Sequence, residues 1–339
     1  MPYHLNIAIL LILRDCESYI PYLIHKFDEM ESYYKDYGKD YGKNSINFTY
    51  LIYENDSSDN TLKKLRDFSE SPKYKNKVKL ITEKLNTKYI NSGVCIERIS
   101  RIAHIRNKAL NAYIKYIVKT NYTLFIDSHI YFEVDYIHKM INASEKYGGA
   151  SIITCNTLDM DAYDGNIDAE EAEDAEDAED ADTIKTRDVK LKNPSNILFN
   201  ISLNSSSQHY YDTFAYVSKD GHLLYPKCPS SLCKEPACNN DYKWSVQKNN
   251  IVEAKSAWGG FVLIDSTAFH NENVKWEVYT IEEAIFKRLI NKNNIVNMDF
   301  YKIDKNNAVC EHISFCKSVQ LSLNKPCIIV TDIMPYWTN

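Results

Sequence analysis

The order of its apolar segments narrows the folds open to this chain of 339 residues more than any other feature. Short apolar runs of strand length alternate with longer stretches whose apolar residues recur at helical spacing. Residues 6–13, 47–53, 78–82, 122–126 and 150–156 read as strands, and 19–30, 58–68, 96–119 and 134–146 as helices. The first run, Asn6 to Leu13, lacks polar alternation after its opening residue. Such a run suits a strand covered on both faces, the usual state of parallel sheet. Pro21 falls in the first turn of the first helix, where its missing N–H costs nothing. Ser58 or Asp59 is placed to cap the second helix. Residues 31–45 are polar and rich in Tyr, Lys and Gly, and read as an exposed loop. The alternation predicts an α/β chain built on an open, doubly wound sheet flanked by helices, in one large domain.

Composition excludes several classes. Hydrophobic content of 44% and charged content of 25% are those of an ordinary globular protein. The formal net charge is −6, and the stretch Asp168 to Asp182 supplies much of it. Like charges repel along that stretch and it offers no apolar face, so 165–185 is expected to be a disordered acidic loop. No clustered basic face points to nucleic acid. Leu5 to Leu13 is too short to span a bilayer and lacks the basic flank and small-residue cleavage site of a signal peptide. No other segment reaches spanning length, so the expectation is a soluble, cytoplasmic protein without a transmembrane segment. The nine cysteines are scattered. Cys228, Cys233, Cys238, Cys310 and Cys316 do not follow the two-residue gap of common zinc knuckles. Free thiols in a reducing compartment are the leading reading, with a disulfide pair or a structural zinc as alternatives.

Five groups of residues carry chemistry. Asp127-Ser128-His129 breaks an apolar run at the tip of a strand, where open α/β sheets bind ligands. An acid and an imidazole two residues apart can hold a divalent cation that grips phosphates; they can equally cap a helix or pair with each other. Glu54-Asn55-Asp56 extends another strand tip, where short polar side chains can bind a base and ribose. Ser58 to Thr61, which follow, suit an ordinary turn and cap. Arg98, Arg101 and Arg106, with Asn107, precede the Asp-Ser-His strand, and guanidinium forks suit phosphate oxygens. Trp258-Gly259-Gly260 comes before an apolar strand. Its glycines permit close backbone approach to a ligand, and the Trp face can lie against a sugar ring. Glu282 and Glu283 can supply a general base or hold hydroxyl groups. His312, far along the chain, can complete a metal site begun by Asp127 and His129.

In this order the segments resemble a GT-A-fold glycosyltransferase, and more closely the fungal capsule-associated α-1,3-mannosyltransferase family. That family's patterns ENdS-D-T, iRN--L, YDTFA--D-G, WGGF and EHI-FC are similar to Glu54–Thr61, Ile105–Leu110, Tyr211–Asp220 with Gly221, Trp258–Phe261 and Glu311–Cys316. The Asp-Ser-His triplet also looks like that of animal polypeptide N-acetylgalactosaminyltransferases, where Asp, His and a later His hold manganese. The resemblance implies a GT-A-type (Rossmann-like) mixed open sheet flanked by helices. Residues 1–150 would form the nucleotide-sugar-binding half and 151–339 the acceptor-binding half of one domain. It implies a metal-dependent hexosyltransferase, with Asp127, His129 and His312 on Mn2+ or Mg2+, and retention at the anomeric centre. Arg14, Glu54, Asp56, Arg101, Arg106, Asp127, Trp258, Gly259 and Gly260 would surround the donor. Asp212, Glu282 and Glu283 would stand at the acceptor hydroxyl. The capsule-family likeness implies GDP-mannose and the triplet's other relatives UDP-sugars; the acceptor would be a glycan or glycoprotein. The alternatives are a catalytically degenerate GT-A-fold protein that binds nucleotide or glycan, and a sugar-nucleotide pyrophosphorylase. The second should show a Gly-rich basic loop after the first strand, and Leu11 to Pro21 does not.

Overall fold

A computed structural model describes residues 4–40, 45–87, 95–117, 119–155, 157–159, 188–192, 198–202, 215–219, 251–290, 308–330, 333 and 335–337. The acidic stretch 168–182, Asp212, Cys228, Cys233 and Cys238 lie outside them. The strands are β1 (Leu5–Leu13), β2 (Ile46–Asn55), β3 (Val78–Glu83), β4 (Tyr122–Ile126), β5 (Ile130–Tyr131), β6 (Ile152–Cys155), β7 (Leu158–Asp159), β8 (Asp188–Lys192), β9 (Leu198–Ser202), β10 (Val217–Ser218), β11 (Ile251–Ser256), β12 (Phe261–Asp265), β13 (Cys327–Val330) and β14 (Tyr336–Trp337). The helices are α1 (Ile20–Asp40), α2 (Thr61–Glu70), α3 (Ile96–Tyr116), α4 (Tyr136–Tyr147), α5 (Ile281–Phe286) and α6 (Glu311–Leu323), with a 3-10 turn at Ser266–His270.

Nine strands form one sheet in the order β10-β11-β13-β6-β12-β4-β1-β2-β3. β1 pairs in parallel with β2 and β4, and β2 with β3. β12 runs antiparallel between β4 and β6, so the sheet is mixed and open, as the sequence implies. The boundary near residue 150 falls within this one sheet. β1–β4 occupy one end and β6 with β10–β13 the other, and the two sets meet where β12 pairs with β4.

Both faces of the central strands are covered, which is why they read as continuous apolar runs. Ile7, Ile9 and Leu11 point into one core with Tyr19, Phe27 and Met30, while Ala8 and Leu10 point into the other with Trp258 and Phe315. Phe125 alternates in the same way with Leu124 and Ile126. α1, α2 and α4 pack on one face and α3 and α6 on the other. Burial of these side chains is the main driving force for the three-layer arrangement.

The expected loop at 31–45 is corrected over most of its length, because α1 continues to Asp40. Phe27, Met30 and Tyr34 keep a buried stripe at helical spacing. Tyr34 donates its hydroxyl to the Val134 carbonyl at 2.8 Å. α3 ends at Tyr116 rather than near residue 119. The expected cap of α2 at Ser58 or Asp59 is corrected: the N-cap is Asn60, without a side-chain cap bond, while Asp59 just before it accepts the Thr61 N–H at 2.9 Å and Ser58 turns back to Asp15. Six cysteines, Cys16, Cys95, Cys155, Cys310, Cys316 and Cys327, are free among the described residues. No helix among these residues is long and apolar enough to cross a membrane.

Candidate active site

The strand ends of β1, β2 and β4 lie side by side, and each is followed by a residue in the left-handed region: Asp15 (φ 49°), Asp56 (φ 57°) and His129 (φ 63°). A non-glycine residue with positive φ is uncommon, and such strain tends to gather at functional sites. The β1 and β2 turns are laced together. Asp15 accepts from the Ser58 N–H at 2.6 Å, Asp59 from the Glu17 N–H at 2.9 Å, and Glu17 from the Asn60 N–H at 3.1 Å.

Thr87, which no motif marked, joins two of the expected donor residues. Its hydroxyl donates to Asp56 Oδ2 at 2.6 Å and accepts from Arg14 Nη1 at 3.0 Å, and its carbonyl accepts from Arg14 Nη2 at 3.1 Å. Burial pushes the Asp56 carboxyl up. The Thr87 hydroxyl and N–H, the Asn86 N–H and the Asn55 amide outweigh it and hold the group well below the usual carboxylate range. Glu54 is buried, and its carboxylate accepts the Ser57 N–H at 2.9 Å, so it supports the turn beneath Asp56.

The second cluster is built on Arg106 of α3. Each guanidinium nitrogen faces a different partner: Nη1 lies 2.6 Å from His312 Nε2, Nη2 3.7 Å from Asp127 Oδ1, and Nε 3.4 Å from Glu311 Oε1. Two carboxylates therefore share one guanidinium. Glu311 and His312, at the start of α6, are 4% and 2% exposed. Burial, with Arg106 beside it, holds His312 well below the ordinary imidazole range, so it is neutral.

An aromatic foundation fixes these groups. Trp258 donates its indole N–H to Asp127 Oδ2 at 3.0 Å and stacks on the His312 ring at 4.0 Å and 12°. Trp276 directs its indole N–H at His312 Nδ1 from 3.3 Å and stacks on Phe315 at 3.8 Å. Asn107 grips the Trp276 backbone in both directions, donating to its carbonyl at 2.8 Å and accepting its N–H at 2.9 Å. The Arg-Asn pair thus has two duties, one in the polar cluster and one in holding the loop that carries Trp276. Trp276 has no motif to mark it; its one signal in the sequence is an isolated Trp in a polar stretch.

Gly259 and Gly260 make room for the protein's own chain. A Cβ at Gly259 would lie 2.5 Å from the Cys155 carbonyl oxygen, and one at Gly260 2.7 Å from Ile130 Cδ1. Gly260 has φ +70°, and its carbonyl accepts the Asp127 N–H at 2.8 Å. Trp258 is 1% exposed and forms the floor under Asp127.

The remaining expected residues stand elsewhere. His129 is half-buried, with its ring 5.3 Å from that of Tyr19, and burial lowers its basicity. Arg101 pairs with Glu97 one turn earlier on α3. Glu282 is exposed on α5. Glu283 forms a capping box with Thr280, accepting its N–H at 2.8 Å. Among the described residues, the His, Cys, Asp and Glu ligand atoms that fall together are those of Cys310, Glu311 and His312, within 4.8 Å of one another. The carboxylates of Asp127 and Glu311 and the neutral imidazole of His312 already surround a cationic group. Glu311 and His312 offer oxygen and nitrogen donors of the kind a divalent cation such as Mn2+ or Mg2+ takes, and Asp127 lies outside that 4.8 Å group.

A family model described as Cryptococcal mannosyltransferase 1 matches residues 7–317. No curated protein sequence matches. Among solved structures, S. aureus TarS 1-349 aligns at 11% identity and a TM-score of 0.42, over 98% of this chain and 60% of its own. Glucosyl-3-phosphoglycerate synthase from Mycobacterium tuberculosis, solved with Mn2+, UDP-glucose and phosphoglyceric acid, aligns at 13% identity and 0.27, over 44% and 43%. Mannosyltransferase PcManGT from Pyrobaculum calidifontis, solved with GDP-Man and Mn2+, aligns at 15% identity and 0.29, over 46% and 36%. The chain thus covers less than two thirds of the length of each of these three.

Proposed function

Because this chain belongs to the Cryptococcal mannosyltransferase 1 family, we propose that it is a metal-dependent glycosyltransferase. It moves a hexose from a nucleotide diphosphate sugar to a glycan or protein acceptor, and the family favours GDP-mannose over a UDP-sugar as donor. The observation that carries this reading is the meeting of Arg106, Asp127 and His312, from three separate elements, beside the strand ends of the sheet. Charge must be neutralised there when a diphosphate leaves, and preorganised electrostatic stabilisation is usually the largest catalytic term.

In this reading Asp127 and His312 hold the metal, with His129 on the same turn. The metal, when bound, supplies Lewis-acid charge to the diphosphate oxygens. Arg106 offers a fork to the same oxygens. Arg14 and Asp56, tied by Thr87, receive the base and ribose, with Glu54 supporting the turn. Trp258 keeps Asp127 oriented from beneath, and Gly259 and Gly260 let its segment pack against Cys155 and Ile130. Asp212 and Glu282 are assigned to the acceptor side on sequence grounds, with Glu283 capping the helix that carries Glu282.

The test is donor hydrolysis across a panel of GDP- and UDP-sugars, with Mn2+ and then with chelator. Release of GDP or UDP from one donor, lost on chelation, is the expected result and names the sugar. Chelator-insensitive release would remove the metal from the reading. Nucleotide binding without release, with or without a glycan acceptor, would leave a binding protein.

A further inference from the structure

We infer that Cys316 and Cys327 form a paired dithiol that oxidation by a peroxide converts to a disulfide, stapling α6 to the sheet. The inference makes no use of the reaction proposed above. The two residues stand eleven positions apart, and the fold brings them face to face. α6 ends at Leu323, Asn324 turns the chain at φ 52°, and β13 starts back along the sheet at Cys327. The two thiols hydrogen-bond to each other. Cys316 Sγ also lies 3.7 Å from the Ala257 carbonyl oxygen, and Cys327 pairs in the sheet with Ala254 of β11 and Ile152 of β6. Both cysteines are fully buried, in the core that also holds Ala254, Ala257 and Trp258. The first turn of α6 carries Glu311 and His312, so a staple at Cys316 anchors the helix that presents them.

A single buried cysteine packs as a small hydrophobe and needs no function. Two thiols in contact are different, because a small side-chain movement brings their sulfurs to the roughly 2.0 Å of a disulfide bond. Hydrogen peroxide is little larger than water and suits so enclosed a site. One sulfur, as thiolate, attacks a peroxide oxygen; the O–O bond breaks, hydroxide leaves and a sulfenic acid forms. The second thiol attacks that sulfur; the S–O bond breaks and the oxygen leaves as water with the thiol proton. In sum, two thiols and one peroxide give one disulfide and two waters, with two electrons passing from sulfur to oxygen. A dithiol reductant returns them by exchange. The closed loop restricts the unfolded chain and so favours the folded one.

The experiment treats the folded full chain with hydrogen peroxide, at a dose that oxidises free glutathione in the same tube, then unfolds it and alkylates the remaining thiols. Trypsin with a glutamate-specific protease cuts after Glu311 and Lys317, which separates Cys310 from Cys316 and Cys316 from Cys327. Mass spectrometry should find the Cys316 and Cys327 peptides cross-linked, and dithiothreitol should release them. The thermal midpoint of oxidised wild type should rise by about 4 °C over the reduced protein. Cys316→Ala and Cys327→Ala should each lose that rise, and either serves if the other does not fold. Recovery of both cysteines in alkylated form would overturn the inference. So would Cys316 cross-linked to a different cysteine, or sulfinic acid at either position in place of the disulfide. An equal midpoint rise in the single variants would assign the stabilisation to other thiols and overturn the staple. If neither variant folds, the cross-link map of the wild type decides.

Discussion

Substitution of the two adjacent glycines by alanine should cost stability unequally, although Gly260 carries the unusual backbone angle. An alanine Cβ at 259 would sit 2.5 Å from the Cys155 carbonyl, 2.9 Å from Thr157 Oγ1 and 3.0 Å from Thr154 Oγ1. The nearest of these is backbone of β6, a strand hydrogen-bonded on both sides within the sheet, so it cannot yield. Overpacking of this kind costs about 1–3 kcal/mol. Moving residue 259 away also breaks two hydrogen bonds, from its N–H to Thr154 and from the Thr157 hydroxyl to its carbonyl, at about 1 kcal/mol each. Gly259→Ala should therefore lose about 3–5 kcal/mol. At 260 the obstacle is Ile130 Cδ1, the far end of a side chain that can rotate. What remains is the left-handed backbone, about 1–2 kcal/mol for an L-residue. Urea unfolding followed by the fluorescence of the buried Trp258 and Trp276 measures both. Gly260→Ala as the more damaging change, or Gly259→Ala at wild-type stability, would refute this account of the close approach.

Four further outcomes are expected. Asp127→Ala should abolish donor hydrolysis with an unchanged circular dichroism spectrum; normal turnover in the folded variant would remove Asp127 from the metal. Trp258→Phe keeps a ring on His312 but deletes the N–H on Asp127, a bond to a charged acceptor worth about 1.5–3 kcal/mol. Nucleotide release should fall roughly 10–100-fold by that loss. Thr87→Val cuts the link between Arg14 and Asp56 and should raise the donor KM more than it lowers kcat; the reverse split would place Thr87 outside the donor site. The Asp56 carboxyl is held below its ordinary value by hydrogen bonds that outweigh burial. Its contribution is therefore fully present above the unfolded value of about 3.9 and is lost as pH falls through the folded pKa. The stability gap between wild type and Asp56→Asn in urea should be flat at neutral pH and close below about pH 4.

The parallel core was legible because strands buried on both faces carry unbroken apolar runs; Ile7 to Leu13 could be little else. The direction of β12 was not legible, since Phe261 to Ile264 has the same apolar character whichever way it runs. The length of α1 was hidden by Tyr and Lys residues around Tyr34, whose buried hydroxyl is used on the Val134 carbonyl. At the site, Arg106, Asp127, Trp258 and His312 were each singled out from residue chemistry, and the fold brings them into direct contact. Thr87 and Trp276 escaped notice because each stands alone in its segment, and only tertiary packing gives it partners. Gly259 and Gly260 were read toward a ligand, whereas the neighbours they accommodate are Cys155 and Ile130. A sequence marks a need for space without saying what fills it.

The antiparallel β12 sets the schedule on which the protein can be made. β4, which ends one residue before Asp127, has β1 on one side from early in synthesis, but its other edge stays unpaired until Phe261–Asp265 emerges. At roughly 5–20 residues per second that edge waits about 7–27 s on the ribosome, presenting apolar backbone that other chains can pair with. A fragment ending near residue 150 would keep that edge permanently. The polar cluster around Arg106 has a like dependence, because Trp258, Glu311 and His312 are all translated after β4. Expression of the intact chain, aided by chaperones that shield strand edges, should give more folded protein than expression of its first half.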